Sequence, residues 1–314
     1  MATAPTLPTV PAGCRSRLTA HYGPAVNEWL DTVPALFATA AENWGFTVGA
    51  YHDAGHSAVL ATAADAQGAP LVLKAWPDRN RYVHETSALR LWYDDDGPAS
   101  ASVLRADDNV RAAAALTMVG GHPGGAVRPP STAEHLLVAE ALHGLHATGR
   151  TTPRAAMTDF PVLEAYVEEE VVPRIHRRRA RFAGRQMVDA ALSVLVGLRE
   201  ASDRTTVLHG DLYRENIPFD LDGEPVPLDP LPLRGDAVFD WAFWVVYYEL
   251  GARTNHRFRQ ALTTSGIPLT DLLPWCVLLS LDGLLYYAET GDSRLPTMTA
   301  VLNALLVRCR RSMQ

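Results

Sequence analysis

Between Val207 and Pro230 the chain reads VLHGDLYRENIPFDLDGEPVPLDP, in which the aspartate Asp211 precedes the asparagine Asn216 by five residues and another aspartate, Asp229, closes the stretch. A loop carboxylate can take the proton of a reacting hydroxyl. Carboxamide and carboxylate oxygens suit a hard cation such as magnesium, which is usually held by one or two carboxylates plus substrate phosphates. A base for the acceptor and a cation for the phosphates are the parts that phosphoryl transfer asks for. Taken singly, each of these residues is a common turn former. The correctly spaced pair, followed by an Asp-Gly turn and another Asp, favours the chemistry over the turns.

Positioning them requires particular elements. Val207 and Leu208 give the loop an apolar lead, and Ile217 to Phe219 and Val226 to Leu228 flank Asp222-Gly223, a strong hairpin signal that predicts Asp229 swinging back toward Asn216. Pro218 and Pro227 restrict those strands to an edge or an end. Of the 28 lysines and arginines only Lys74 is lysine, and it lies in the extended apolar run Pro70 to Trp76. A lysine there can meet phosphate as a compact point charge. Glu85, on a helical stretch with Ala88, Leu89 and Trp92, could orient it; the alternative is a surface lysine and an unrelated helix acid. Gly55 and Ser57 lie in Asp53 to Ser57 between two apolar runs, where turn amides could cradle phosphate or simply close a hairpin.

The loop His209 to Asn216 resembles the H-R-D-x-x-x-x-N catalytic loop of protein kinases, Leu228-Asp229-Pro230 stands where they have D-F-G, and the Lys74 run resembles their V-A-I-K strand. From about Trp29 to about Tyr287 the chain is similar to the aminoglycoside phosphotransferases, within them the streptomycin and hydroxyurea kinase group. His209-Gly-Asp-Leu, Gly235-Asp236 with Asp240, Leu142-His143-Gly-Leu-His146 and the lead Trp29 to Leu36 carry that resemblance. It implies an α+β, two-lobed protein-kinase-like fold with a small mixed β-sheet lobe and a larger, mostly helical one. It also implies ATP, or GTP, with magnesium. Asp211 would be the base, Asn216 and Asp229 the metal ligands, and Lys74, Glu85, Gly55 and Ser57 the phosphate side of the nucleotide site. The hinge stretch Leu116 to Gly121 lacks the acid common in the family, which leaves adenine to backbone groups, with Met118 and Val119 the candidates. Tyr213 stands where a histidine is common.

Length supports two lobes, since 314 residues exceed a typical single core. The boundary is expected at 118/119, followed by the linker Gly120 to Gly125. Two amino-terminal helices, strands between Val48 and Trp76, a helix near Glu85 to Trp92, and strands near Val103 and Ala113 form the first lobe. Helices near Thr132 to Thr148, Phe160 to Arg181, Gln186 to Arg199, Asp240 to Leu250 and Leu272 to Glu289 form the second. No apolar run is read as reaching the roughly 18 to 20 residues of a membrane span, and residues 1 to 12 read as a flexible tail. Three widely separated cysteines suggest neither disulfides nor zinc. The expected setting is cytoplasmic, with no membrane, nucleic-acid or obligate protein partner.

For the acceptor, a net charge of −7 favours a cation over nucleic acid. Trp275, Asp282 and Glu289 recur every seven residues on an apolar helix, with Tyr286 beside them. An aspartate in such company needs compensation. A guanidinium or ammonium group of a small-molecule antibiotic could supply it, helped by the faces of Trp275 or Tyr286; an arginine of the chain could do so equally. The acidic Glu164 and Glu168 to Glu170 suggest an exposed helix paired with Arg174 and Arg177 to Arg179. His143 and His146 read as core or hydrogen-bonding residues.

Overall fold

The structure is a computed structural model that describes residues 7–53, 55–93, 103–122, 124, 132–152, 157–198 and 200–312. The start of the expected tail, Ala54 of the first turn, and Pro123 and Gly125 of the linker lie outside them. The chain divides at Gly120 into two compact units.

The first unit opens with α1 (Ala12–Tyr22) and α2 (Val26–Trp44). In α2 the buried Val26, Leu30, Val33, Phe37 and Ala41 recur at helical spacing, giving one apolar face. That face packs on a sheet of β1 (Thr47–His52), β2 (Val59–Ala64), β3 (Pro70–Ala75), β4 (Leu104–Asp108) and β5 (Ala113–Thr117). Strand order is β1-β2-β3-β5-β4, and the expected mixed sheet is antiparallel in every pairing. Side chains alternate across a strand. Leu71, Leu73 and Ala75 therefore face the helical layer, and Lys74 faces the other side. Helix α3 (Arg79–Trp92) starts where the Asp78 carboxylate accepts the Asn80 and Arg81 amides, and it buries Tyr82, Glu85, Leu89 and Trp92.

The second unit is helical. α4 (Thr132–Thr151) is followed by α5 (Leu163–Tyr166), a wide turn at Val167–Val171 and α6 (Val172–Arg179), which run on without a break. Pro173 has no N–H to return to the preceding turn, and a wide turn just before it accommodates that loss. α7 (Arg185–Leu195) precedes a two-stranded antiparallel pair, β6 (Thr205–Leu208) with β7 (Leu233–Asp236). Then come α8 (Val238–Tyr247), α9 (Thr254–Ser265), α10 (Leu269–Thr290) and α11 (Leu295–Ser312). α8 and α10 form the middle of the core, with Trp241, Trp244 and Trp275 almost completely buried.

Two expectations need correction. The hairpin carrying Asp222-Gly223 forms no regular strands; it keeps a Phe219–Pro225 bridge and hydrogen bonds from the Val226 amide to the Pro218 carbonyl and from the Leu228 amide to the Asn216 carbonyl. Pro218, Pro225 and Pro227 cannot donate, so the ladder is thinned to a few bonds. In addition, α10 is long and apolar enough to cross a membrane, with 22 residues and a mean hydropathy of 1.4, but 72% of that window is buried inside the protein. It serves as the unit's core helix.

Candidate active site

Asp211 is half-buried in the loop after β6. Asn216 Nδ2 donates to both the Asp211 carbonyl and Asp211 Oδ2, each at 2.9 Å. With the amide nitrogen committed there, Oδ1 is the end of Asn216 offered to a cation. The Leu228 amide sits on the Asn216 carbonyl at 2.9 Å, which ties the residue before Asp229 to the loop. Asp229 itself has φ +56°, an unusual conformation for a non-glycine residue that aspartate tolerates better than most. Among the described residues no three His, Cys, Asp or Glu side chains form a metal cage. Two oxygen donors with phosphates completing the shell fit magnesium, which seldom uses an all-protein cage.

The loop is held from below by Asp240 at the start of α8, fully buried. Its Oδ2 accepts the His209 amide at 2.7 Å, its Oδ1 accepts the Gly210 amide at 2.9 Å, and His146 Nε2 lies 2.9 Å from Oδ2. Gly210 has φ +75°, and a Cβ there would meet the Leu231 carbonyl oxygen at 2.1 Å, so only glycine lets the loop pass. In the sequence Asp240 belongs to the Gly235-Asp236 motif, which assigns it no task of its own. The signal was available: an aspartate inside VFDWAFWVV must be compensated when buried. His146 is the hydrogen-bonding residue expected; β6 also bonds to α4, where Thr206 Oγ1 donates to the His146 carbonyl at 3.1 Å.

In the first unit, Lys74 Nζ donates to Glu85 Oε1 at 2.5 Å, and Trp76 Nε1 donates to Glu85 Oε2 at 3.0 Å. Lys74 is 4% exposed and Glu85 0%, so the alternative of an exposed surface lysine is set aside. The Asp53–Ser57 turn is fastened by Arg17, which bonds the Gly55 carbonyl and Asp53, and by Tyr22 Oη, which donates to the Ser57 carbonyl. A Cβ on Gly55 would meet the Ala58 carbonyl oxygen at 2.1 Å, so this turn also requires glycine. The Met118 amide is taken by the Pro70 carbonyl at 3.2 Å, and Val119 follows it, half-buried.

The acceptor residues are placed differently from the expectation. Asp282 is compensated by the chain itself: Arg174 Nε and Nη2 reach its carboxylate at 2.7–3.0 Å, and Arg178 Nη1 reaches it at 3.2 Å. Glu289 is likewise paired, with Arg178 Nε at 2.8 Å. Trp275 is 1% exposed and packs edge-on against Phe239, out of reach of a solute. Tyr286 is exposed, with the Arg178 guanidinium 5.1 Å over its ring. The heptad spacing brought these residues to one helix, but burial varies along it too steeply for a shared pocket face.

A cavity of about 250 Å³ does lie here, walled by Arg174, Arg178, Arg294 and a set of tyrosines. Tyr213, two residues beyond Asp211, lines both it and a neighbouring cavity of about 630 Å³ that Glu215 and Glu249 also border. Burial, and next the nearby Asp211 charge, push the Tyr213 phenol well above its usual range, so it stays protonated.

Such a loop, with its aspartate–asparagine pair fixed on a buried helix acid, belongs to the class of protein-kinase-like folds, and the comparisons agree. Residues 172–265 match the sequence profile of the fructosamine kinase family. Among solved structures the chain resembles a macrolide 2'-phosphotransferase from Brachybacterium faecium at 19% identity, covering 86% of this chain and 97% of that one with a TM-score of 0.58. A putative fructosamine-3-kinase from Thermobifida fusca is similar at 19% identity, with coverages of 86% and 97% and a TM-score of 0.58. A thermostable mutant of the aminoglycoside phosphotransferase APH(4)-Ia, solved as a ternary complex with AMP-PNP and hygromycin B, is similar at 12% identity, with coverages of 87% and 97% and a TM-score of 0.61. No curated protein matches the sequence. The fold is therefore protein-kinase-like, a sheet unit with a larger helical one, as found in small-molecule phosphotransferases.

Proposed function

We propose that the protein is an ATP- and magnesium-dependent phosphotransferase acting on a hydroxyl of a small molecule, in the cytoplasm. The observation that supports this reading is the Asn216 bond to Asp211 together with the Leu228 amide on the Asn216 carbonyl, which brings the backbone next to Asp229 back to the Asp211 loop. The acceptor hydroxyl gives its proton to Asp211 as its oxygen bonds to the γ-phosphorus. The bond between that phosphorus and the bridging oxygen breaks, and ADP leaves. Magnesium, held through Asn216 Oδ1 and Asp229, supplies charge neutralisation on the phosphates when bound. In the first unit Lys74, oriented by Glu85, offers a fixed positive charge to the nucleotide phosphates, with Gly55 and Ser57 in a phosphate-binding turn. The Met118 carbonyl and the Val119 backbone would meet the base.

A narrower reading, inactivation of an antibiotic of the streptomycin type, rests on the resemblance over Trp29 to Tyr287 and on net charge. A nucleotide-binding pseudokinase is disfavoured by the joint presence of Lys74, Asp211, Asn216 and Asp229. The test is a pair of variants. Asp211→Asn should lower ATP turnover about 10²- to 10⁴-fold, the usual size of a general-base contribution, and keep magnesium-ATP affinity in calorimetry. Asp229→Ala should lose that affinity. Turnover within about threefold of wild type in Asp211→Asn would overturn the assignment.

A further inference from the structure

The sequence suggested an acid awaiting a cationic acceptor; the structure holds that acid already paired, and what remains facing the cavity is positive. Three guanidinium groups line the cavity of about 250 Å³, those of Arg174, Arg178 and Arg294, against the single carboxylate of Asp282. The other acids nearby, Glu289 and Asp292, bind Arg178 and Arg294 from outside its wall.

Donor accounting points the same way. A guanidinium has five N–H donors in a planar fork. Arg174 uses Nε and Nη2 on Asp282 and Tyr166, and Arg178 uses Nε on Glu289 and Nη1 on Asp282. Arg174 Nη1 and Arg178 Nη2 make no hydrogen bond among the described residues, and neither is a sealed-off buried atom. Both planes are fixed by stacking, Arg174 at 5.7 Å over Tyr166 and Arg178 at 5.1 Å over Tyr286. Burial opposes the Arg174 charge, and the Asp282 hydrogen bonds more than offset it, so the group stays cationic. A planar fork held in place with donors to spare is suited to a planar oxyanion. Tyr247 and Tyr287 add flat, apolar wall, and Tyr213 connects the cavity to the Asp211 loop.

We propose that the acceptor carries a carboxylate, which docks on Arg174 and Arg178 in this tyrosine-walled cavity while its hydroxyl is presented to Asp211. The proposal rests on the phosphotransferase reading and replaces the expected cationic acceptor with an anionic one. Asp282 then competes with the acceptor for donors of the two arginines.

The experiment uses the full chain and three probes of one shape: benzoate, benzamide and benzylamine, titrated by intrinsic fluorescence. Benzoate should bind at least tenfold more tightly than either of the others, and Arg178→Gln should remove that preference. Arg174→Lys, which keeps the charge but not the fork, should retain part of it. Benzylamine or benzamide binding as well as benzoate to the wild-type protein would overturn the proposal, and so would an undiminished preference in a folded Arg178→Gln. Calorimetry of magnesium-ATP on the same preparations reports separately on the kinase reading. Lost nucleotide binding in the wild type would sink that reading, and the benzoate preference would still decide whether the anion site exists.

Discussion

Asp240 and Asp282 are both aspartates set among large apolar residues on helices of the same unit, and they solve the cost of burial in opposite ways. Asp240, 0% exposed, accepts from two backbone amides of the Asp211 loop and has the His146 ring as its third neighbour. Asp282, with its side chain 13% exposed, is clasped by two guanidinium groups from α6. The two backbone amides on Asp240 are uncharged, so its carboxylate serves loop geometry. Charged donors around Asp282 cancel its charge and are themselves fixed in return. On the proposed reading, the first arrangement shapes the reacting centre and the second shapes what is recognised.

The comparison breaks most visibly at Asp240. Asp240→Asn leaves one of the two loop amides facing an NH₂ group, since the carboxamide has a single acceptor oxygen. An unsatisfied buried donor costs about 1–3 kcal/mol, so the melting temperature should drop by several degrees. The larger effect should be on turnover. A displacement near 1 Å in a reacting group can cost about 10²-fold, and the His209 and Gly210 amides set where Asp211 points. Magnesium-ATP affinity should change less than kcat. A variant with normal kcat and only a lowered melting temperature would reduce Asp240 to packing.

Asp282→Asn should do less, and in a direction that separates the two readings of α10. The pair network is partly exposed and Glu289 remains on Arg178, so the stability loss should be near 2 kcal/mol, below that of a fully buried pair. Benzoate should bind more tightly to this variant, because both guanidinium groups lose their competing carboxylate. Were the acceptor a cation, the same substitution would weaken acceptor binding. Measuring the melting curve and the benzoate titration on one preparation gives both answers.

These contrasts also show what could be read before the coordinates. The Asp211–Asn216 pair and the Lys74–Glu85 pair were legible because their members lie only 5 and 11 residues apart in the chain. The partners of Asp240 and Asp282 were not legible, since they come from 30 to 108 residues away in the chain. Burial cost announces that a partner exists without saying which. The helix α9 was missed because TNHRFRQALTTS has few apolar residues; what holds it is Arg257, fully buried and donating to the carbonyls of Trp244, Val245, Glu249 and Ala252. The thinned hairpin reflects prolines whose missing N–H groups outweighed the turn signal.

Arg257 supplies the last comparison, with a neighbouring base that has no such carbonyls. Burial is the main cause that lowers Arg257 to about 10, which leaves it charged at neutral pH. His135, also 0% exposed, has its Nδ1 3.2 Å from His256 Nδ1, and no partner for Nε2 among the described residues. Burial, with Arg257 and His256 nearby, lowers it from 6.5 to about 3. The unfolded chain thus takes up this proton before the folded one does. Stability from a neutral His135 is complete above the unfolded value of 6.5 and is lost progressively as pH falls toward 3. Between about pH 7.5 and about pH 5.5 the linkage amounts to about 1.4 kcal/mol. His135→Gln, which cannot titrate, should show a shallower fall in melting temperature over that interval. Parallel pH profiles for the two proteins would mean that His135 takes up its proton in the fold at its ordinary value, and that burial does not hold it neutral.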